Sequence, residues 1–181
     1  KAETGPRGEG FANRRTVGTQ GELKISTSEV KLVFESMRET IATEIAKTQG
    51  LNPENVRNAK LEIVSGKQLV MEYVKGTNTI RVSEATLNEI HNRSKSLPVE
   101  QRVFFRRKAL GVMLGHELAH SGGIKAESVA DRTAIEALKK AQGVGRVGGV
   151  ELPITKQEIK ETLRVFERPT GSKAINNVMY R

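Results

Sequence analysis

The chain contains no cysteine, which excludes a disulfide framework and any zinc site built on thiolates. It also contains no tryptophan, and aromatic residues make up only 4% of its 181 residues. No apolar run reaches the roughly 20 residues that a membrane-spanning helix requires, and no signal peptide is visible. The sequence therefore predicts no membrane span.

Acidic residues are in the minority, with 21 Asp and Glu against 30 Lys and Arg, which gives a net charge of +9. A basic balance favours an acidic partner, and nucleic acid is one weakly supported candidate. Residues 1–21 are rich in glycine and charge, so we expect a flexible basic arm followed by one domain over residues 22–181. Residue 1 is Lys rather than Met, so we expect a processed or excised product.

Two of the three histidines stand four residues apart, as His116 and His120, with Glu117 directly after the first. On a helix, residues four apart lie on one face, so both imidazoles can reach one metal ion. Imidazole and carboxylate ligands suit zinc, and Glu117 is placed to take a proton from a water molecule that the metal activates. This spacing predicts a catalytic Zn²⁺ site on a buried helix.

The remaining patterns predict an α+β fold in which helices surround a small, mostly antiparallel sheet. Capping residues and apolar periodicity place helices at residues 26–49, 83–91, from 96 through the motif, and at 125–141. Strands are predicted at residues 60–64, 68–74 and 79–82, joined as a meander. A further helix is predicted at residues 155–167.

Two other groups of polar residues are assigned to the surface rather than to the site. His91 lies in a polar stretch and is interpreted as a surface histidine. Arg102, Arg106, Arg107 and Lys108 are interpreted as a solvated helix face, with a substrate-steering patch as the alternative.

The motif resembles the active-site helix of zincin metallopeptidases, and the similarity covers roughly residues 61–138. Glu127-Ser128-Val129-Ala130-Asp131 resembles the E-x-x-A-D helix of gluzincins, which implies Glu127 as the third metal ligand. Thr79-Ile80-Arg81-Val82-Ser83 resembles the edge strand that these enzymes lay beside the substrate. The chain departs from gluzincins in one respect, because only six residues separate His120 from Glu127.

Asp131 is the alternative third ligand, since it lies four residues after Glu127 and faces the same way. The Gly122-Gly123 turn is short, so the start of the returning helix is better placed to reach the motif. Glu127 is also the longer side chain. If Glu127 is the ligand, Asp131 is expected to accept a hydrogen bond from the free N–H of a ligating histidine. Residues 174–180 faintly resemble the methionine turn of metzincins.

These patterns together predict a zinc-dependent endopeptidase that binds a protein or peptide as an extended strand, with Glu117 as general base. It is similar to the metallopeptidase domains of bacterial toxins, effectors and phage proteins, so delivery as a secreted or virion-associated protein is expected. One alternative is a protease that acts on nucleic-acid-bound proteins. The other is a packaged structural or binding protein, associated with nucleic acid, that retains a zincin fold without hydrolysis.

Overall fold

Five helices and a three-stranded sheet make up most of the structure, a computed structural model that describes residues 25–147 and 150–151. The helices are α1 (Thr27–Ile45), α2 (Pro53–Arg57), α3 (Glu84–Ser94), α4 (Val99–Ser121) and α5 (Glu127–Lys140). The strands of the sheet are β1 (Lys60–Val64), β2 (Met71–Val74) and β3 (Thr79–Ser83), and Arg146–Val147 (β4) pairs with Val150–Glu151 (β5). The predicted α+β class is confirmed.

Helix α1 supports the helix that carries the motif. The Ser26 hydroxyl caps it by accepting a hydrogen bond from the Glu29 N–H at 3.1 Å. Its predicted apolar face is buried. The helix ends at Ile45 rather than near Gln49, and turns follow, in which Gly50 adopts a φ of 91°.

The sheet is not the meander that the turn signals predicted. Its order is β1-β3-β2, in which β2 and β3 form an antiparallel hairpin and β1 pairs with β3 in parallel. Ile80 and Val82 of β3 are fully buried. This buried strand has a hydrogen-bonded neighbour on each side. β1 pairs with one edge of β3 and β2 with the other, although β1 and β2 are consecutive in the chain.

This order also corrects the prediction for the edge strand beside the site. Residues 79–83 form the central strand β3, so its backbone groups pair with β1 and β2 and cannot receive a peptide. The strand that packs against α4 at the edge of the sheet is β2.

Helix α4 runs through the centre of the domain and packs against α1, α3 and α5. Gly115 lies where α4 crosses α1 and α5, and a Cβ atom there would be 2.7 Å from Met37 Cε and 3.1 Å from Ala134 Cβ. Both distances are shorter than ordinary van der Waals contact. The glycine therefore lets the helix that carries His116 approach its neighbours closely.

Two predictions of solvent exposure are wrong. Arg106 and Arg107 are only partly exposed, and Arg106 pairs with Glu29 of α1 at 3.2 Å, so the basic segment of α4 packs on α1 instead of forming a solvated face. Lys108 on the same helix is only 5% exposed. His91 is 8% exposed and faces inward from α3, so it is not a surface histidine. The Arg106–Glu29 pair joins residues 77 positions apart, so no local pattern could have indicated it.

Several predicted segments lie outside the described residues: the basic arm over residues 1–21, the helix over residues 155–167 and the stretch over residues 174–180. Within the described part of the chain, no helix is both long enough and apolar enough to cross a membrane.

Candidate metal centre

Helices α4 and α5 bring three potential metal ligands to one point. His116 and His120 lie one turn apart on α4, and their Nε2 atoms are 3.1 Å apart. Glu127 opens α5 after the Gly122-Gly123 turn. Its Oε1 lies 2.8 Å from His116 Nε2, and its Oε2 lies 3.3 Å from His120 Nε2. The structure thus brings these three predicted ligands together.

The far nitrogen of each imidazole has its own hydrogen-bond acceptor. His116 Nδ1 donates to Asp131 Oδ1 at 2.5 Å, and His120 Nδ1 donates to the Ile124 carbonyl oxygen at 2.7 Å. Because both partners act as acceptors, the hydrogen of each neutral ring lies on Nδ1. Each Nε2 then keeps its lone pair, and the two lone pairs lie close to the Glu127 carboxylate. Metal-binding histidines are held in this way.

The donor atoms have the spacing that a metal ion requires. One ligand atom from each of His116, His120 and Glu127 lies within 4.8 Å of the others. Tetrahedral zinc with bonds of about 2.0–2.1 Å separates its ligand atoms by roughly 3.3 Å. The observed separations of 2.8 to 3.3 Å are close to that value. The group can therefore hold a metal ion.

Asp131 lies behind the His116 ring. Its side chain is fully buried, at 0% exposed, and its Oδ1 contacts Nδ1, on the opposite side of the ring from the convergent Nε2 atoms. Glu127, in contrast, is 65% exposed at the start of α5. The geometry gives the two carboxylates different positions, with Glu127 at the metal ligands and Asp131 supporting one of them.

Glu117 points toward β2 and is almost completely buried, at 7% exposed. Burial raises the pKa of Glu117 to about 7, with a further raising contribution from Glu127, although His116 and His120 act in the opposite direction. The nearby Tyr73 backbone N–H favours the ionised form of this carboxylate. A carboxyl group that titrates near neutrality can both accept and return a proton.

Burial also acts on His116, where it lowers the pKa because it disfavours the charged ring. The hydrogen bond to Asp131 and the negative charges of Glu117, Asp131 and Glu127 outweigh that effect. The pKa of His116 is therefore raised above its ordinary value of 6.5 in the metal-free protein. The same negative charges favour a bound cation.

The turn between the two helices is anchored by residues that the sequence patterns did not indicate. The Asn52 N–H donates to the Gly122 carbonyl at 2.9 Å, and Asn55 Nδ2 donates to the Ser121 carbonyl at 2.8 Å. Asn55 Nδ2 also lies 3.4 Å from the Tyr73 hydroxyl. Asn55 therefore links the end of α4 to β2.

Comparison with family models, curated proteins and solved structures finds no match to this chain. The function therefore rests on the chemistry of the site. Of the predicted site residues, His116, Glu117, His120, Glu127 and Asp131 lie together. His91 is not part of the group whose ligand atoms converge. No sequence pattern indicated three backbone or amide groups that surround these residues: the Ile124 carbonyl at His120, the Tyr73 N–H near Glu117 and the Asn55 amide at the end of α4.

Proposed function

We propose that the chain is a zinc-dependent endopeptidase with His116, His120 and Glu127 as the zinc ligands. One observation carries this proposal: two imidazole lone pairs and an acidic side chain converge directly beside a buried carboxyl group, Glu117. A site that only stored or structurally used zinc would have no need for this fourth group. Three protein ligands also leave a position open, as catalytic zinc sites do.

Zinc, when bound, supplies a Lewis acid that polarises a peptide carbonyl and increases the acidity of water. The chain itself supplies proton transfer. Glu117 takes a proton from the attacking water and returns it to the nitrogen of the leaving amine. Burial raises the pKa of Glu117 to about 7 in the metal-free protein, and a nearby cation would lower it and favour the carboxylate that accepts the proton.

The outer edge of β2 is the proposed binding site for an extended peptide. The Ser83 N–H donates to the Val70 carbonyl at 3.0 Å, which identifies one hydrogen-bonded pair of the β2–β3 ladder. Such pairs alternate along an antiparallel ladder, so the backbone groups of Met71 and Tyr73 point away from β3. A peptide strand can pair with these outward groups beside the candidate zinc ligands.

The test is a digestion of a diverse peptide mixture by the zinc-loaded protein, with cleavage sites read by mass spectrometry. We expect cleavage that a chelator abolishes and added zinc restores. Glu117→Gln should lower the rate about 10²–10⁴-fold while zinc content and circular dichroism stay unchanged. The matched control is Glu100→Gln, since Glu100 is exposed in the first turn of the same helix.

Full activity of Glu117→Gln would exclude Glu117 as the general base. Cleavage that survives complete removal of metal would exclude a metallopeptidase.

A further inference from the structure

A row of alternating charges crosses the face of the sheet opposite to Ile80 and Val82. The register places Glu62 of β1 and Glu72 of β2 directly on either side of Arg81 of β3. Arg81 Nε lies 3.5 Å from Glu62 Oε1, and Arg81 Nη1 lies 2.8 Å from Glu72 Oε2. The order of charges from β1 to β2 is therefore negative, positive, negative.

This row ends at the edge of the sheet where the proposed substrate strand would be added. Glu72 stands last in the row, and its side chain is 48% exposed. One arginine is shared between two carboxylates, so the formal charge of the row is −1. A strand added to β2 would place one of its side chains next to Glu72, on the same face of the extended sheet.

We propose that Glu72 is a specificity-determining residue that selects lysine or arginine in the peptide strand bound along β2. This inference rests on the proposed function and adds a substrate class to it. A basic side chain opposite Glu72 continues the alternation of charges, and opposite charges on neighbouring strands stabilise their pairing. An acidic side chain at that place would face Glu72 directly and weaken the pairing.

The position of Glu72 places the selected side chain close to the bond that is cut. Glu72 precedes Tyr73 on β2, the strand that packs against α4, and the Tyr73 N–H lies near the Glu117 carboxylate. The peptide residue opposite Glu72 is thus a near neighbour of the one beside Glu117. Glu72 belongs to a non-hydrogen-bonded position of the new ladder, where side chains of adjacent strands approach most closely. A single basic residue beside the cleaved bond is the expected signature.

A preference for basic peptides is the opposite of what the net charge of the chain favours. With +9 overall, the average field of the protein favours acidic peptides. A preference for basic residues at one peptide position would therefore come from a local group and not from the chain as a whole. The two origins can be separated by salt, because long-range attraction is screened at distances beyond about 10 Å in 0.1 M salt.

The experiment uses zinc-loaded protein and a set of uncharged host peptides in which one Lys, Glu or Gln is moved through every position. For the wild type we expect one position near the cleaved bond where Lys raises kcat/KM about two- to fivefold over Gln, and where Glu lowers it. Glu72→Gln should remove the preference, and Glu72→Lys should reverse it toward Glu.

Glu62→Lys is the matched control. It makes the same change of charge in the same row and also loses an ion pair with Arg81, but it lies on β1. With neighbouring strands about 4.8 Å apart, Glu62 lies about 14 Å from the added strand, compared with about 5 Å for Glu72. We expect the preference of Glu62→Lys to match that of the wild type. Equal effects of both variants would overturn the inference.

Peptide binding to the zinc-loaded Glu117→Gln variant separates this inference from the proposed function. If this variant binds the Lys peptide more tightly than the Gln peptide, and the double variant Glu72→Gln/Glu117→Gln does not, the role of Glu72 is supported. That conclusion holds even if the wild type cuts no peptide, although the absence of cleavage would reject the endopeptidase. Chelator-sensitive cleavage with no preference for Lys at any position would overturn the role of Glu72 and leave the peptidase standing. Neither cleavage nor binding of any peptide would overturn both.

Discussion

The two walls of the candidate site differ in how completely their polar groups are satisfied. On the metal wall, which α4 and α5 form, each imidazole has a hydrogen-bond acceptor at Nδ1, and Asp131 is fully buried. On the β2 wall, no described strand pairs with the outer edge, where the backbone groups of Met71 and Tyr73 point outward. A metal site needs ligands whose geometry is set before the ion arrives. A peptide-binding edge needs groups that only the peptide completes.

The two walls are nevertheless joined. Asn55 contacts the end of α4 through the Ser121 carbonyl and β2 through the Tyr73 hydroxyl. The Tyr73 N–H in turn lies near the Glu117 carboxylate of α4. The metal wall thus sets the position of the β2 wall. Changes to the metal wall should therefore have the larger effects, and changes to the link between the walls the smaller.

Removal of a ligand from the metal wall should have the largest effect. Glu127→Ala should lose most of its zinc, because its carboxylate lies at both Nε2 atoms. Asp131→Asn should bind zinc only about 10–100-fold more weakly, because Asp131 acts through His116. Zinc content and competition titrations measure both variants, with Glu136→Ala on the exposed face of α5 as the control.

If Asp131→Asn binds no zinc and Glu127→Ala still binds it, Asp131 is the third ligand and Glu127 is not.

The pH dependence of stability tests the burial of the metal wall. In the metal-free protein the pKa values of Glu117 and His116 are both raised, so the folded state binds protons more tightly than the unfolded state. The contribution of Glu117 is fully present below pH 4.5 and is lost as the pH rises through about 7. The contribution of His116 is fully present below pH 6.5 and is lost at higher pH.

We therefore expect the free energy of unfolding of the metal-free protein to fall by about 1–3 kcal/mol between pH 5 and pH 8. Denaturant titrations in a chelator measure it. Glu117→Gln should flatten the profile. Saturating zinc should reverse its slope, because zinc binds the deprotonated ligands. A metal-free wild type that is more stable at pH 8 than at pH 5 would contradict the raised pKa values.

Gly115→Ala tests whether close packing of α4 positions the ligands. The new methyl group would meet Met37 and Ala134, so we expect a loss of about 1–3 kcal/mol in the free energy of unfolding. Zinc affinity should fall as well, since His116 is the next residue. Gly76→Ala is the control, because a Cβ there meets nothing within 4 Å. Unchanged stability of Gly115→Ala would mean that the three helices can separate without loss.

Asn55→Ala tests the link between the walls and should have the smallest effect. It removes the hydrogen bond to the Ser121 carbonyl, which corresponds to about 1 kcal/mol of stability. We expect KM for peptides to rise while zinc affinity changes by less than about twofold, since no zinc ligand contacts Asn55. Asn58→Ala, on the exposed end of α2, is the control. A fall in zinc affinity with unchanged KM would place Asn55 in the metal wall instead.

The metal wall could be predicted from the sequence because its geometry is local. A spacing of four residues on one helix places His116 beside His120 whatever the rest of the fold does. The short Gly122-Gly123 turn then limits how far α5 can move from α4 before Glu127. Capping hydroxyls at Ser26 and Ser83 likewise marked helix starts within a few residues, and the structure has both caps.

The β2 wall was decided only by the tertiary structure. Turn signals indicate that two strands are near each other, but not that β1 crosses to the far side of β3 and leaves β2 at the edge. The burial of His91, and the pairing of Arg106 with Glu29 across 77 residues, were equally invisible. Helical periodicity and caps depend on residues a few positions apart. Strand order and burial depend on contacts between segments far apart in the chain, and local patterns do not encode them.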